Sequence, residues 1–214
     1  MNTYALYLVT DSEMIAPMRI EGFLNSAIDG GVTVVQIREK NICTKDFIIK
    51  AREMKRILSE RNIPLIVNDR LDVALAIEAD GIHLGQQDVE YRDVKKILRG
   101  RKMTIGLTLE NLEQAKRALK DNYDYFGLSS LFQTSTKQDA PYFWTKNQVE
   151  SLRKITNKPL IGIGGINLDN CKEVLEYGLD GIAVVSAICG QRSVNDVEKV
   201  SSEFRKKVEN YYED

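Results

Sequence analysis

The chain has 214 residues, 43% of them hydrophobic and 29% charged, which is enough apolar content for a packed core and excludes a disordered chain. Thirty lysines and arginines against thirty-one acidic residues leave a formal charge of -1. That balance excludes a general attraction to nucleic acid or to an anionic membrane, so any anion must be bound locally.

From the N-terminus, the chain enters an apolar run at Tyr4 with no basic leader region. Short β-branched runs then alternate with longer charged segments whose apolar residues recur at helical spacing. Strands are expected at 5–9, 33–38, 64–68, 81–84, 104–107, 125–129, 160–164 and 181–185. Helices are expected at 20–29, 45–61, 71–76, 91–98, 112–120, 146–156, 168–177 and 194–211. In the second helix Phe47, Ile48, Ala51, Met54 and Leu58 form the apolar stripe, with Thr44 as N-cap and Pro64 beyond its end. Asn167 and Asp169 mark the start of the seventh helix and Gly178 its end.

Eight such pairs with short connections, and strands as apolar as Leu-Ile-Gly-Ile, point to an α/β fold: one (β/α)8 barrel, as a single domain over 1–214. A doubly wound open sheet is the alternative. The segment 130–145 is the one long connection, about sixteen residues, and loops of that length in compact domains are often functional. No apolar stretch reaches the roughly 20 residues of a membrane helix. Cys43, Cys171 and Cys189 show no metal-binding spacing, and their odd number suits a reducing compartment. The protein therefore reads as soluble and cytoplasmic.

A barrel carries its active site at the C-terminal ends of its strands, so chemistry should follow each apolar run. After the second run, Gln36, Arg38 and Lys40 alternate with Ile37 and Glu39, placing an amide and two cations on the mouth side, where they suit a diphosphate. Asn68 and Asp69 end the third run, and Asp88 follows the fourth. Two carboxylates from neighbouring strand ends suit Mg2+, which takes one or two carboxylates plus substrate phosphates. Taken singly, Asp69 reads equally as a helix N-cap. His83, the only histidine, reads as lining the mouth rather than as a general base. Thr134, Ser135, Thr136 and Lys137 offer three hydroxyls and an ammonium after the sixth strand. Gly164 and Gly165 after the seventh strand and Ser186 after the eighth suit a backbone phosphate site. The residues thus describe two anion sites in one mouth, suited to joining or splitting two phosphorylated small molecules.

The chain also resembles the thiamine-phosphate synthase family along nearly its whole length. The resemblance lies in Leu6-Tyr7-Leu8-Val9-Thr10-Asp11, Gln36-Ile37-Arg38-Glu39-Lys40, Asn68-Asp69-Arg70, His83-Leu84-Gly85-Gln86, Thr134-Ser135-Thr136-Lys137, Gly162-Ile163-Gly164-Gly165-Ile166 and Val185-Ser186-Ala187-Ile188. It implies a transferase that couples hydroxymethylpyrimidine diphosphate to a thiazole phosphate, releasing diphosphate through a dissociative, carbocation-like step. Asp69 and Asp88 match the family's Mg2+ ligands. Gln36, Arg38, Lys40, Asn68, Thr108 and Lys137 match contacts to the pyrimidine diphosphate, with Arg38, Lys40 and Lys137 in the catalytic role. Thr134, Ser135, Thr136, Gly165, Val185 and Ser186 match the thiazole phosphate site. The chain departs from the family pattern at Ser129, Ser130 and Gln133, and has Thr108 where serine is usual. Alternative readings are a thiazole tautomerase on the same barrel, a sugar-phosphate isomerase or aldolase, and a non-catalytic phosphometabolite-binding barrel. Oligomeric state, a homo-oligomer included, stays open.

Overall fold

Most strand residues meet one of two apolar environments, which is why the strands read as largely hydrophobic runs. In the computed structural model, which describes residues 2–133 and 143–213, Leu6 and Leu8 of the first strand pack outward in the layer beneath the helices. Tyr7 and Val9 face inward with Val34, Ile66, Tyr125, Ile161 and Ala183, so the barrel interior is filled with side chains.

The strands β1 (Leu6–Val9), β2 (Val34–Ile37), β3 (Leu65–Asn68), β4 (Gly81–Leu84), β5 (Thr104–Leu109), β6 (Tyr125–Ser129), β7 (Leu160–Ile163) and β8 (Gly181–Val184) are parallel and close in sequence order. Closure excludes the open sheet: Tyr7 is in register with Val34 of β2 on one side and with Ala183 of β8 on the other. The helices are α1 (Ser12–Ile15), α2 (Ile20–Asp29), α3 (Thr44–Glu60), α4 (Leu71–Ala76), α5 (Tyr91–Leu98), α6 (Leu112–Ala118), α7 (Lys146–Arg153), α8 (Cys171–Leu175), α9 (Ser186–Cys189) and α10 (Val194–Glu213).

Two of these are absent from the sequence reading. Both α1 and α9 are single turns, too short to show a period. Asp11 caps α1 by accepting from the amides of Glu13 and Met14 at 3.1 and 3.2 Å. Two expected caps are also corrected. Cys43, not Thr44, holds the N-cap position of α3, and the Thr44 hydroxyl instead accepts from Arg70 Nη2 at 2.8 Å. Asn167 binds the amides of Asp169 and Asn170 at 2.8 and 3.1 Å, which holds 167–170 as a turn and delays α8 to Cys171.

The closed end of the barrel is tied by a repeated device. A polar residue just before each even-numbered strand binds the first or second amide of the strand before it. Thr33 Oγ1 accepts from Leu6, Asp80 from Leu65, Asp124 from Ile105 and Asp180 from Leu160, at 3.1, 2.7, 2.7 and 2.7 Å. Strand amides at that end are thereby satisfied by side chains rather than by water. The polar residues at the opposite ends of the strands are left for chemistry.

Candidate active site

That opposite end encloses a cavity of about 870 Å³, within the range that holds a small-molecule ligand. Strand alternation places the β2 residues as expected. Gln36, Arg38 and Lys40 line the cavity, whereas Ile37 is buried in the outer core and Glu39 turns away to pair with Lys50 Nζ at 2.7 Å. Ser12 joins that pair through hydrogen bonds to both side chains. The backward anchoring of Glu39 leaves its neighbours Arg38 and Lys40 directed at the mouth.

Asn68, Asp69 and Asp88 line the same cavity. Asp69 is not the helix cap its position suggests: Arg70 precedes α4, and no side-chain hydrogen bond caps that helix. Asp69 instead adopts a left-handed backbone with φ of 61°, a conformation aspartate tolerates better than most residues. Arg70 swings outward to a bidentate pair with Asp72 at 2.9 and 2.6 Å and stays out of the cavity. The Asp88 carboxylate accepts from the Gly85 amide at 2.6 Å, closing the β4–α5 turn. The Asp69 carboxyl is pushed up to about 6, first by burial and then by hydrogen bonding to and repulsion from Asp88, with Lys40 and Arg38 pulling the other way. A carboxyl raised by a neighbouring carboxylate in this way is one that a cation placed between the two would relieve. Among the described residues no cluster of three or more Asp, Glu, His or Cys forms. The donor set is therefore two hard oxygen ligands with room for substrate oxygens and water, which fits Mg2+ better than zinc.

The barrel floor carries a continuous line of hydrogen bonds. Gln36 Nε2 donates to the Tyr7 hydroxyl at 2.8 Å, Tyr7 and Tyr125 hydroxyls meet at 2.8 Å, Tyr125 meets His83 Nδ1 at 2.9 Å, and His83 Nε2 meets Thr108 Oγ1 at 2.8 Å. Burial pulls His83 down to about 4, with the Asp88 charge opposing the shift, so at neutral pH the imidazole is uncharged. His83 thus lines the mouth, as expected, but with both ring nitrogens already bonded. Tyr7 and Tyr125 were missed by the sequence reading. The available signal is their inward register: Tyr7 stands beside Val34, two residues before Gln36, and Tyr125 stands beside Gly106, two residues before Thr108.

On the other side of the cavity lie Gly164, Gly165, Val185 and Ser186. The two glycines have φ of 100° and 68°. Their need for glycine comes first from the protein itself: a Cβ on Gly164 would sit 2.8 Å from Ser130 Cβ, and one on Gly165 would sit 2.6 Å from the Gln133 carbonyl oxygen. Leu131 and Phe132 amides bond the carbonyls of Ile163 and Gly164 at 3.0 Å each, extending the sheet pairing past β6. Ser186 opens α9, in which the amides of Ile188 and Cys189 bond the Val185 carbonyl at 3.1 and 2.9 Å. Thr134, Ser135, Thr136 and Lys137 lie outside the described residues. Their chain enters from Gln133, a cavity residue, and the described chain resumes at Phe143, before the capping box of Thr145 and Gln148 that starts α7.

The mouth therefore holds a carboxylate pair, two basic side chains, a neutral polar floor and a glycine-lined wall. A family model described as thiamine monophosphate synthase matches residues 6–188. The chain is 41% identical over 202 residues to a thiamine-phosphate synthase of Clostridium tetani, covering 93% of each chain. It is 43% identical over 199 residues to one of Clostridium novyi, covering 92% of this chain and 96% of that protein. The solved thiamine phosphate pyrophosphorylase of Pyrococcus furiosus superimposes with a TM-score of 0.87 at 35% identity over 98% of both chains.

Proposed function

The chain belongs to the thiamine monophosphate synthase family and carries that family's transferase activity, and we propose that its one barrel domain couples hydroxymethylpyrimidine diphosphate to a thiazole phosphate, forming thiamine monophosphate and diphosphate. The observation that carries the site assignment is the meeting of Asp69 and Asp88 with Arg38 and Lys40 in one cavity.

In this reading Asp69 and Asp88 hold Mg2+. When bound, the ion neutralises charge on the diphosphate oxygens. Arg38 and Lys40 take the leaving group's remaining charge, with Lys137 assigned the same role from its sequence position. As the carbon–oxygen bond to diphosphate breaks, negative charge grows on the departing oxygen. Preorganised cations stabilise that growth, and the thiazole nitrogen then supplies the electron pair for the new carbon–nitrogen bond. The step calls for no protein nucleophile and no general base, in keeping with a neutral His83 bonded at both nitrogens. Gln36, Asn68 and Thr108 orient the pyrimidine and its diphosphate. Gly165, Val185 and Ser186, with Thr134, Ser135 and Thr136, hold the thiazole phosphate.

The cytoplasm is the proposed compartment, supported by free thiols at Cys43, Cys171 and Cys189. Among the described residues no helix is long and apolar enough to cross a membrane.

The test is incubation of the purified protein with both phosphorylated substrates and Mg2+. Diphosphate release that needs the thiazole phosphate and the metal supports the coupling reaction. Isomerisation of a thiazole phosphate without diphosphate release, or binding without turnover, would replace it.

A further inference from the structure

The floor hydrogen bonds have a direction, and that direction can be worked out from the hydrogens available. Neither phenol is ionised at neutral pH, because burial raises both well above their ordinary value. Gln36, Tyr7, Tyr125, His83 and Thr108 are then all neutral, and each of the four links carries one hydrogen. The Gln36 amide nitrogen donates to Tyr7. Tyr7 is buried, and its hydrogen would lack an acceptor among the described residues unless it went to Tyr125, so Tyr7 donates to Tyr125. Tyr125 in turn donates to His83 Nδ1. The single imidazole proton is left on Nε2, where it points at Thr108 Oγ1. At the two ends remain the Gln36 amide oxygen, an acceptor, and the Thr108 hydroxyl hydrogen, a donor. Arg38 and Lys40 line the mouth beside Gln36 and favour its oxygen, not its NH2, on the cavity side. Turning the amide over would reverse every hydrogen and move the imidazole proton to Nδ1.

The rings that carry this line are held tightly. Tyr125 stacks on His83 with centroids 5.4 Å apart and lies 4.7 Å from Tyr4. Two inward strand positions are glycine to make room: a Cβ at Gly106 would stand 2.2 Å from Tyr125 Cζ, and one at Gly127 would stand 3.2 Å from His83 Cε1.

We infer that Tyr7, Tyr125 and His83 are positioning residues, a relay of fixed polarity that keeps Gln36 an acceptor and Thr108 a donor toward the pyrimidine. A ring with an amino group on one edge and a lone-pair nitrogen on the other matches that pair of ends, and a ring with the reverse pattern leaves both unpaired. The identity of the ring rests on the function proposed above; the polarity of the relay does not.

His83 is the only histidine, so labelling histidine with 15N isolates one imidazole. In the free protein at neutral pH, NMR should show a proton-bearing Nε2 and an unprotonated Nδ1. A proton on Nδ1 would overturn the polarity. Tyr125→Phe removes the donor to Nδ1 and should mix the two tautomers. Both Tyr125→Phe and Tyr7→Phe should raise KM for the pyrimidine diphosphate about tenfold, the effect of one lost oriented hydrogen bond, without raising KM for the thiazole phosphate. Equal rises for both substrates, or no rise for either, would overturn the positioning role. A wild-type protein that does not couple the two substrates would sink the proposed function, while the labelled imidazole would still decide the relay.

Discussion

Replacing Asp69 by asparagine should make the metal-free protein more stable and the enzyme inactive. Asn is the right substitution because it accepts the left-handed backbone at φ 61° as well as Asp does, so no strain is added. The Asp69 carboxyl sits at about 6 against 3.8 for an ordinary aspartate. A gap of roughly two pH units corresponds to about 3 kcal/mol for a fully buried group. Asp69 is only half-buried, and water screens the repulsion, which leaves about 1 kcal/mol. Because the folded-state value lies above the unfolded one, ionisation of Asp69 opposes folding. The stability of the protonated form is complete below 3.8 and is lost as the pH rises through about 6. Asparagine does not titrate. Urea denaturation without divalent metal should therefore find the variant equal to the wild type near the lower value and about 1 kcal/mol more stable above the upper one. Mg2+ at tenfold over its Kd should add about 1.4 kcal/mol to the wild type and nothing to the variant. A variant that is less stable at neutral pH, or a difference that ignores pH, would refute the idea that the two carboxylates share one site, and the metal assignment would go with it.

Lys40→Ala should lower kcat/KM for the pyrimidine diphosphate about a hundredfold, read from initial rates of diphosphate release, because it removes a cation aimed at the leaving group. An unchanged rate would take Lys40 out of that role. Gly164→Ala should cost about 1–3 kcal/mol in chemical denaturation, since it forces an L side chain to φ 100° against Ser130. A denaturation midpoint equal to the wild type would show that the 130–133 segment yields easily.

The eight strands were legible because a buried parallel sheet demands runs such as Leu-Ile-Gly-Ile, and the helices because an apolar stripe must recur every three or four residues. The alternation of Gln36, Arg38 and Lys40 with Ile37 and Glu39 likewise predicted which side chains line the cavity, since a strand presents every second residue to one face. Single turns such as α1 and α9 carry no period, so they became visible only in three dimensions. The same holds for Asp69, whose cap-like position in the chain gave way to a left-handed backbone beside Asp88.

By itself, then, the order of residues determined the eight strand–helix pairs and most of the polar set at the strand ends, while closure of the sheet, which excluded the open alternative, was decided in three dimensions. The family resemblance was also present in that order, and the comparisons bear it out. Only the tertiary structure decided that Tyr7, Tyr125 and His83, from strands 1, 6 and 4, meet as one hydrogen-bonded line between Gln36 and Thr108. Residues separated by 118 positions, as Tyr7 and Tyr125 are, share no local pattern. Barrel closure brings them within 2.8 Å, and contacts made by closure are invisible to periodicity along the chain.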